Sequence, residues 1–126
     1  MPLNIYVDGS GGPNSGFGFF VKETGESFYK KEPNITNNQA EYMAIIMVLK
    51  KFLENNNEIN IYSDSKNTVA QLNHEYAINS DQLRTLAMEA WNLIGKYTNL
   101  KIKWIPRNEN LAGKMLGSWV VKQLIY

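Results

Sequence analysis

The chain is expected to fold as an α/β protein, a mixed five-stranded sheet flanked by helices in the order βββαβααβα. Three observations carry this. Aromatic and β-branched runs crowd the N-terminal quarter, apolar residues recur at steps of three and four from Asn38 onward, and later apolar runs alternate with helical segments. Opening hairpins pair antiparallel, whereas later strands arrive through helical crossovers, so the sheet must be mixed. With 126 residues, the sequence is read as one domain spanning 1–126.

The elements follow in order. Residues 3–7 (LNIYV) read as a strand that the turn formers Asp8-Gly9-Ser10-Gly11-Gly12-Pro13-Asn14 bring to a stop. Phe17–Lys22 and Glu26–Lys31 flank Thr24-Gly25 and read as a hairpin. From Asn38 to Leu53, the residues Ala40, Met43, Ala44, Met47, Val48 and Phe52 mark one buried helical face. Ile59–Tyr62 is a fourth strand, and Ser63-Asp64-Ser65 caps a helix reaching about Leu72. A further helix runs from about Ser80 to Ile94 with Leu83, Leu86, Ala87, Ala90 and Leu93 inward, and Gly95 closes it. Residues 100–105 form the fifth strand, Pro106 and Asn108 break it, and Leu111, Met115, Trp119 and Val120 mark a last helix. Trp91, Trp104 and Trp119 fit these apolar faces and are read as core.

Thirteen Lys and Arg against twelve Asp and Glu leave a formal charge of +1. Nucleic-acid binding by bulk charge is therefore disfavoured, and any such contact must be local. The absence of cysteine excludes disulfides, a thiolate nucleophile and Cys-bound zinc, so a metal would be held by oxygen. No leader-like N-terminus or long apolar run stands in the sequence, which points to the cytoplasm and away from a membrane. A monomer is expected.

Three carboxylates stand at privileged places: Asp8 at the end of the first strand, Glu41 in the first helix and Asp64 after the fourth strand. Singly, they also read as a turn residue, a solvated helix residue and a helix cap. Jointly they can converge at one end of the sheet, where α/β clefts form. Such oxygen ligands suit Mg2+ or Mn2+.

The segments Val7-Asp8-Gly9-Ser10, Thr36-Asn37-Asn38-Gln39-Ala40-Glu41-Tyr42 and Tyr62-Ser63-Asp64-Ser65 resemble the type 1 ribonuclease H family. The resemblance spans Ile5 to Leu116, and the short passage Leu72-Asn73-His74-Glu75-Tyr76 is similar to the compact branch, which lacks a basic protrusion. It implies a ribonuclease H-like sheet and endonucleolytic cleavage of the RNA strand of an RNA–DNA hybrid by two-metal hydrolysis. It further implies that Asp8 bridges both ions and that Glu41 and Asp64 complete the ligands. Thr36, Asn37 and Asn38 would meet the hybrid backbone and minor groove, where the 2′-hydroxyl distinguishes RNA. Gly9, Ser10 and Asn14 would also lie against substrate, Asn14 reading equally as a turn residue. Lys66 and Arg107 would contact phosphate. His74 receives no role.

One departure stands out. The family carries a fourth Asp in an N-x-x-A-D segment, and the matching stretch here is Asn110-Leu111-Ala112-Gly113-Lys114. Lys114 occupies the acid's place without a gap, and a one-residue shift puts Gly113 there. Lys114 is thus the uncertain fourth-ligand position. It either repels metal, stands in for part of the second ion's charge near the leaving oxygen, turns to solvent, or leaves Asn108, Glu109 or Asn110 to lend an oxygen. Beside the nuclease reading stand a catalytically impaired protein that binds hybrid or double-stranded nucleic acid, and another nuclease of this fold such as a junction resolvase or exonuclease. The Thr36 to Tyr42 segment favours ribonuclease H over the latter.

Overall fold

The structure is a computed structural model that describes residues 2–114. Three strands open the chain: β1 (Leu3–Ser10), β2 (Gly16–Val21) and β3 (Ser27–Lys31). Helix α1 (Asn37–Lys51) leads to β4 (Ile59–Ser63), then to α2 (Lys66–Leu72), α3 (Asp81–Ile94) and β5 (Leu100–Trp104). The sheet order is β3-β2-β1-β4-β5. β1–β2 and β2–β3 are antiparallel, while β1–β4 and β4–β5 are parallel. The expected mixed sheet and its order therefore hold through β5. A helical turn begins at Leu111, and the remainder of the expected last helix, with Met115, Trp119 and Val120, lies outside the described residues.

Asp8 does not end β1. The strand runs on through Asp8↔Gly18, Gly9↔Phe17 and Ser10↔Gly16, so the reversal falls on residues 11–15. Gly12 supplies the positive φ that it needs, at 103°. This turn is stitched to the segment before α1: Gly12 and Ile35 form a bridge, and the buried Ser15 hydroxyl donates to the Glu32 carbonyl.

Burial on both sides, rather than on one face, governs α1. Ala40, Glu41, Tyr42, Ala44, Ile45, Ile46, Val48 and Leu49 are buried, whereas Met43 and Met47 of the expected stripe are half-buried. The helix lies between the sheet and α3, so a single amphipathic stripe underestimates its buried surface. The core beneath it comes from alternate strand residues Leu3, Ile5, Val7, Phe19, Val21, Ile59, Ile61 and Ile102, with Ala87, Ala90 and Leu93 from α3. Trp91 is half-buried, stacks on His74 and donates its Nε1–H to the Leu72 carbonyl at 3.0 Å. Trp104 departs from the core assignment. It is 46% exposed at the end of edge strand β5, with its Nε1–H on the Asp64 carbonyl at 3.2 Å. The edge strands carry lysines, Lys30 and Lys31 on β3 and Lys101 and Lys103 on β5.

Gly9 lets β1 approach α1. A Cβ there would stand 2.6 Å from the Ala40 carbonyl carbon and 2.8 Å from the Ala40 Cβ, distances that no relaxed side chain tolerates. Gly9→Ala should therefore cost about 1–3 kcal/mol of stability, measured by urea denaturation. An unchanged midpoint would show that the strand and helix can separate freely.

Candidate active site

β1 and β4 pair in parallel from Leu3↔Ile59 to Tyr6↔Tyr62. Asp8 and Asp64 each stand two positions past the last pair, so the register that matches the tyrosines also brings these carboxylates together at the carboxyl ends of neighbouring strands. Glu41 comes from the first turns of α1. One ligand atom from each of Asp8, Glu41 and Asp64 lies within 4.8 Å of the others. Asp8 is 8% and Glu41 6% exposed, and Asp64 is half-buried. The solvated-helix reading of Glu41 thus fails.

Both Glu41 oxygens are held. The Gly9 amide donates to Oε1 at 3.3 Å, and the Ser63 hydroxyl donates to Oε2 at 3.3 Å. Burial, reinforced by Asp8 and Asp64, pushes Glu41 up to about 8. Burial and the Asp64 charge likewise push Asp8 up to about 6, against the opposing pull of Arg107, the Gly9 amide and a hydrogen bond with Glu41. Acids driven toward protonation in this way mark a centre short of positive charge. Oxygen donors gathered around one point fit a hard divalent cation, which would supply that charge.

The other expected residues divide. Thr36 is the N-cap of α1, accepting from the Gln39 amide at 3.1 Å while Gln39 Oε1 accepts from the Thr36 amide. The Asn37 Oδ1 accepts from the Gly11 amide, fixing the β1–β2 turn to the helix start. Thr36, Asn37 and Asn38 are all exposed, as are Ser10, Asn14, Lys66 and Arg107. Gly9 is engaged with Glu41 and Ala40 instead of facing outward. Arg107 opens a short turn, Arg107–Glu109, and its charge acts on Asp8. Lys114 is exposed.

Position 113, not 114, backs onto the acids. A Cβ on Gly113 would lie 3.5 Å from Asp8 Oδ2 in ordinary contact. Asn110 does not lend an oxygen to this corner: its Oδ1 accepts from the Ala112 amide at 3.1 Å. Its Nδ2 donates at 2.9 Å to both the Val7 carbonyl and Asp64 Oδ2. The contacts of Ser63 and Asn110 were not evident beforehand. Ser63 is itself buried at the end of β4, between the half-buried Tyr62 and Asp64.

Comparison with known proteins gives the family. A family model described as "Reverse transcriptase-like" matches residues 22–120. A "Ribonuclease H" of Campylobacter jejuni is 33% identical over 113 residues, covering 82% of this chain and 77% of the relative. The chain belongs to the ribonuclease H-like family. It is also 32% identical over 122 residues to a protein of Enterococcus faecalis named "Putative hydrolase EbsB", covering 90% of each. The crystal structure of RNase H1 from Halobacterium salinarum matches with a TM-score of 0.82 and 25% identity, over 92% of this chain and 94% of that one. That of LC11-RNase H1 in complex with RNA/DNA hybrid shares the fold, with a TM-score of 0.79 and 23% identity over 90% and 92%.

The raised acids give the metal-free protein a pH dependence. Between the ordinary carboxylate range and about 8, the unfolded chain has released protons that folded Asp8 and Glu41 keep, so stability falls as pH rises. In EDTA, Tm should drop by roughly 5 °C or more from about pH 5 to about pH 8. Glu41→Gln should flatten most of that slope. A Tm that is level or climbs across this range in the parent protein contradicts the assignment.

Proposed function

We propose that the protein is a ribonuclease H that cuts the RNA strand of RNA–DNA hybrids endonucleolytically, using Mg2+ or Mn2+ held by Asp8, Glu41 and Asp64. The observation that carries this reading is the convergence of three carboxylates from β1, α1 and the end of β4 beside an exposed polar helix start. Divalent ions bound there supply Lewis-acid activation of water and stabilisation of the leaving oxygen. The chain's own groups hold and orient. Gly9 and Ser63 fix the Glu41 oxygens, so the ligand set is ordered before substrate arrives. Asn37 uses its oxygen on Gly11, which leaves its NH2 group for a hybrid oxygen, and Asn38 stands exposed beside it. Ser10, Asn14 and Thr36 line the same end of the fold, and Lys66 and Arg107 offer cations to phosphate.

Among the described residues no helix is long and apolar enough to cross a membrane. A monomer acting in the cytoplasm fits this reading. A second reading is favoured by the absence of a carboxylate at both Gly113 and Lys114: a protein that binds hybrid without cutting it.

A labelled RNA–DNA hybrid, with RNA and DNA duplexes as controls, separates the two. Cleavage confined to the hybrid and dependent on Mg2+ or Mn2+ is expected, and Asp8→Asn should abolish it while hybrid binding persists. Hybrid bound but intact in the parent would select the second reading, and cleavage undiminished in the variant would remove Asp8 from the chemistry. The open corner gives a further prediction. Gly113→Asp should tighten Mn2+ binding several-fold in calorimetry and lower Tm in EDTA, since it adds a like charge beside Asp8. Lys114→Asp, at an exposed position, should do much less. The reverse ranking would assign the corner to position 114.

A further inference from the structure

Asn110 is the one fully buried carboxamide among the described residues, and its three bonds join parts of the chain remote in sequence. Their chemistry fixes its orientation. The nitrogen faces two acceptors, the Val7 carbonyl and Asp64 Oδ2, each at 2.9 Å, and the oxygen faces one donor, the Ala112 amide, at 3.1 Å. Turned over, the group would set oxygen against both acceptors and nitrogen against an N–H, so only one arrangement is satisfied. Val7 immediately precedes Asp8, and Asp64 is the neighbouring acid. One hydrogen of the NH2 group therefore ends on the β1 backbone just before Asp8 and the other on Asp64 itself.

β1 and β4 have no ladder pair between them past Tyr6↔Tyr62. Beyond that point Asn110 spans the gap. We infer that Asn110 is a positioning residue that sets the separation of Asp8 and Asp64, and through it the affinity for a divalent ion. This rests on the proposed metal-dependent reading of the same site. Its carboxamide is spent on protein partners. It acts by clamping the Val7 carbonyl and one Asp64 oxygen, while its own oxygen caps the turn bearing Gly113. A helix cap alone would need only that last bond.

The contrast between cap and clamp supplies the test. Asn110→Ser and Asn110→Asp both keep a capping oxygen and both lose the donated pair, and Asn110→Asp further sets a carboxylate against Asp64. Calorimetric titration with Mn2+ should give a Kd raised about 10- to 100-fold in both. Gel-shift binding of hybrid in EDTA should stay near the parent's. Steady-state cleavage should show a higher Mn2+ requirement with little change in KM for hybrid. A folded Asn110→Ser protein whose Mn2+ Kd is within twofold of the parent's overturns the inference. Should both variants fail to fold, the parent decides. The Asn110 NH2 signals in NMR should exchange with solvent far more slowly than those of exposed Asn38 and should shift on Mg2+ titration. Fast exchange and no shift would equally overturn it. A parent that binds no Mn2+ at all instead defeats the metal-dependent reading, which keeps the two failures apart.

Discussion

A carboxylate inside the packing of the sheet against its first helix is the constraint around which this fold is arranged. Burying Glu41 is costly unless its oxygens find donors, and the two that it finds come from strand ends on either side, the Gly9 amide and the Ser63 hydroxyl. For Gly9 to reach it, β1 must run almost against the backbone of Ala40, which a side chain at position 9 would prevent. The requirement for a glycine at position 9 and the holding of Glu41 by the β1 backbone are consequences of one close approach.

The layout of strands and helices was legible in the sequence because it rests on local signals. Alternation and turn residues mark strands, and spacing of three and four marks α3. What escaped was set by partners distant along the chain. Asp8-Gly9-Ser10 looks like a turn in isolation, yet β2 supplies Gly16 and Gly18 opposite it and draws it into the ladder. Met43 and Met47 looked as deeply buried as Ala44, but α1 is covered from two directions and Tyr42, Ile45 and Leu49 take the innermost places. Trp104 alternates like a core residue, yet β5 lies at the sheet edge, where its ring is half free.

The acids themselves were legible as three positions in a familiar pattern, and the structure brings all three together. Their supporting groups were not, since neither Ser63 nor Asn110 differs in type from ordinary strand or cap residues. Only the folded chain shows that they face the carboxylates, Ser63 from the end of β4 and Asn110 from the turn after β5. The fourth corner is instructive in the same way. Counting along the chain points to Lys114, whereas the winding of the last turn presents Gly113. A linear pattern carries no information about which side of a helix meets the site until the helix is docked.

The lysines of the two outer strands bear on how such a sheet behaves in crowded solution. An exposed strand edge offers unpaired amides and carbonyls to any other strand that meets it. Here β3 carries Lys30 and Lys31 and β5 carries Lys101 and Lys103. Two copies approaching by their matching edges would set ammonium groups opposite one another. The repulsion opposes growth of the sheet from chain to chain by either edge.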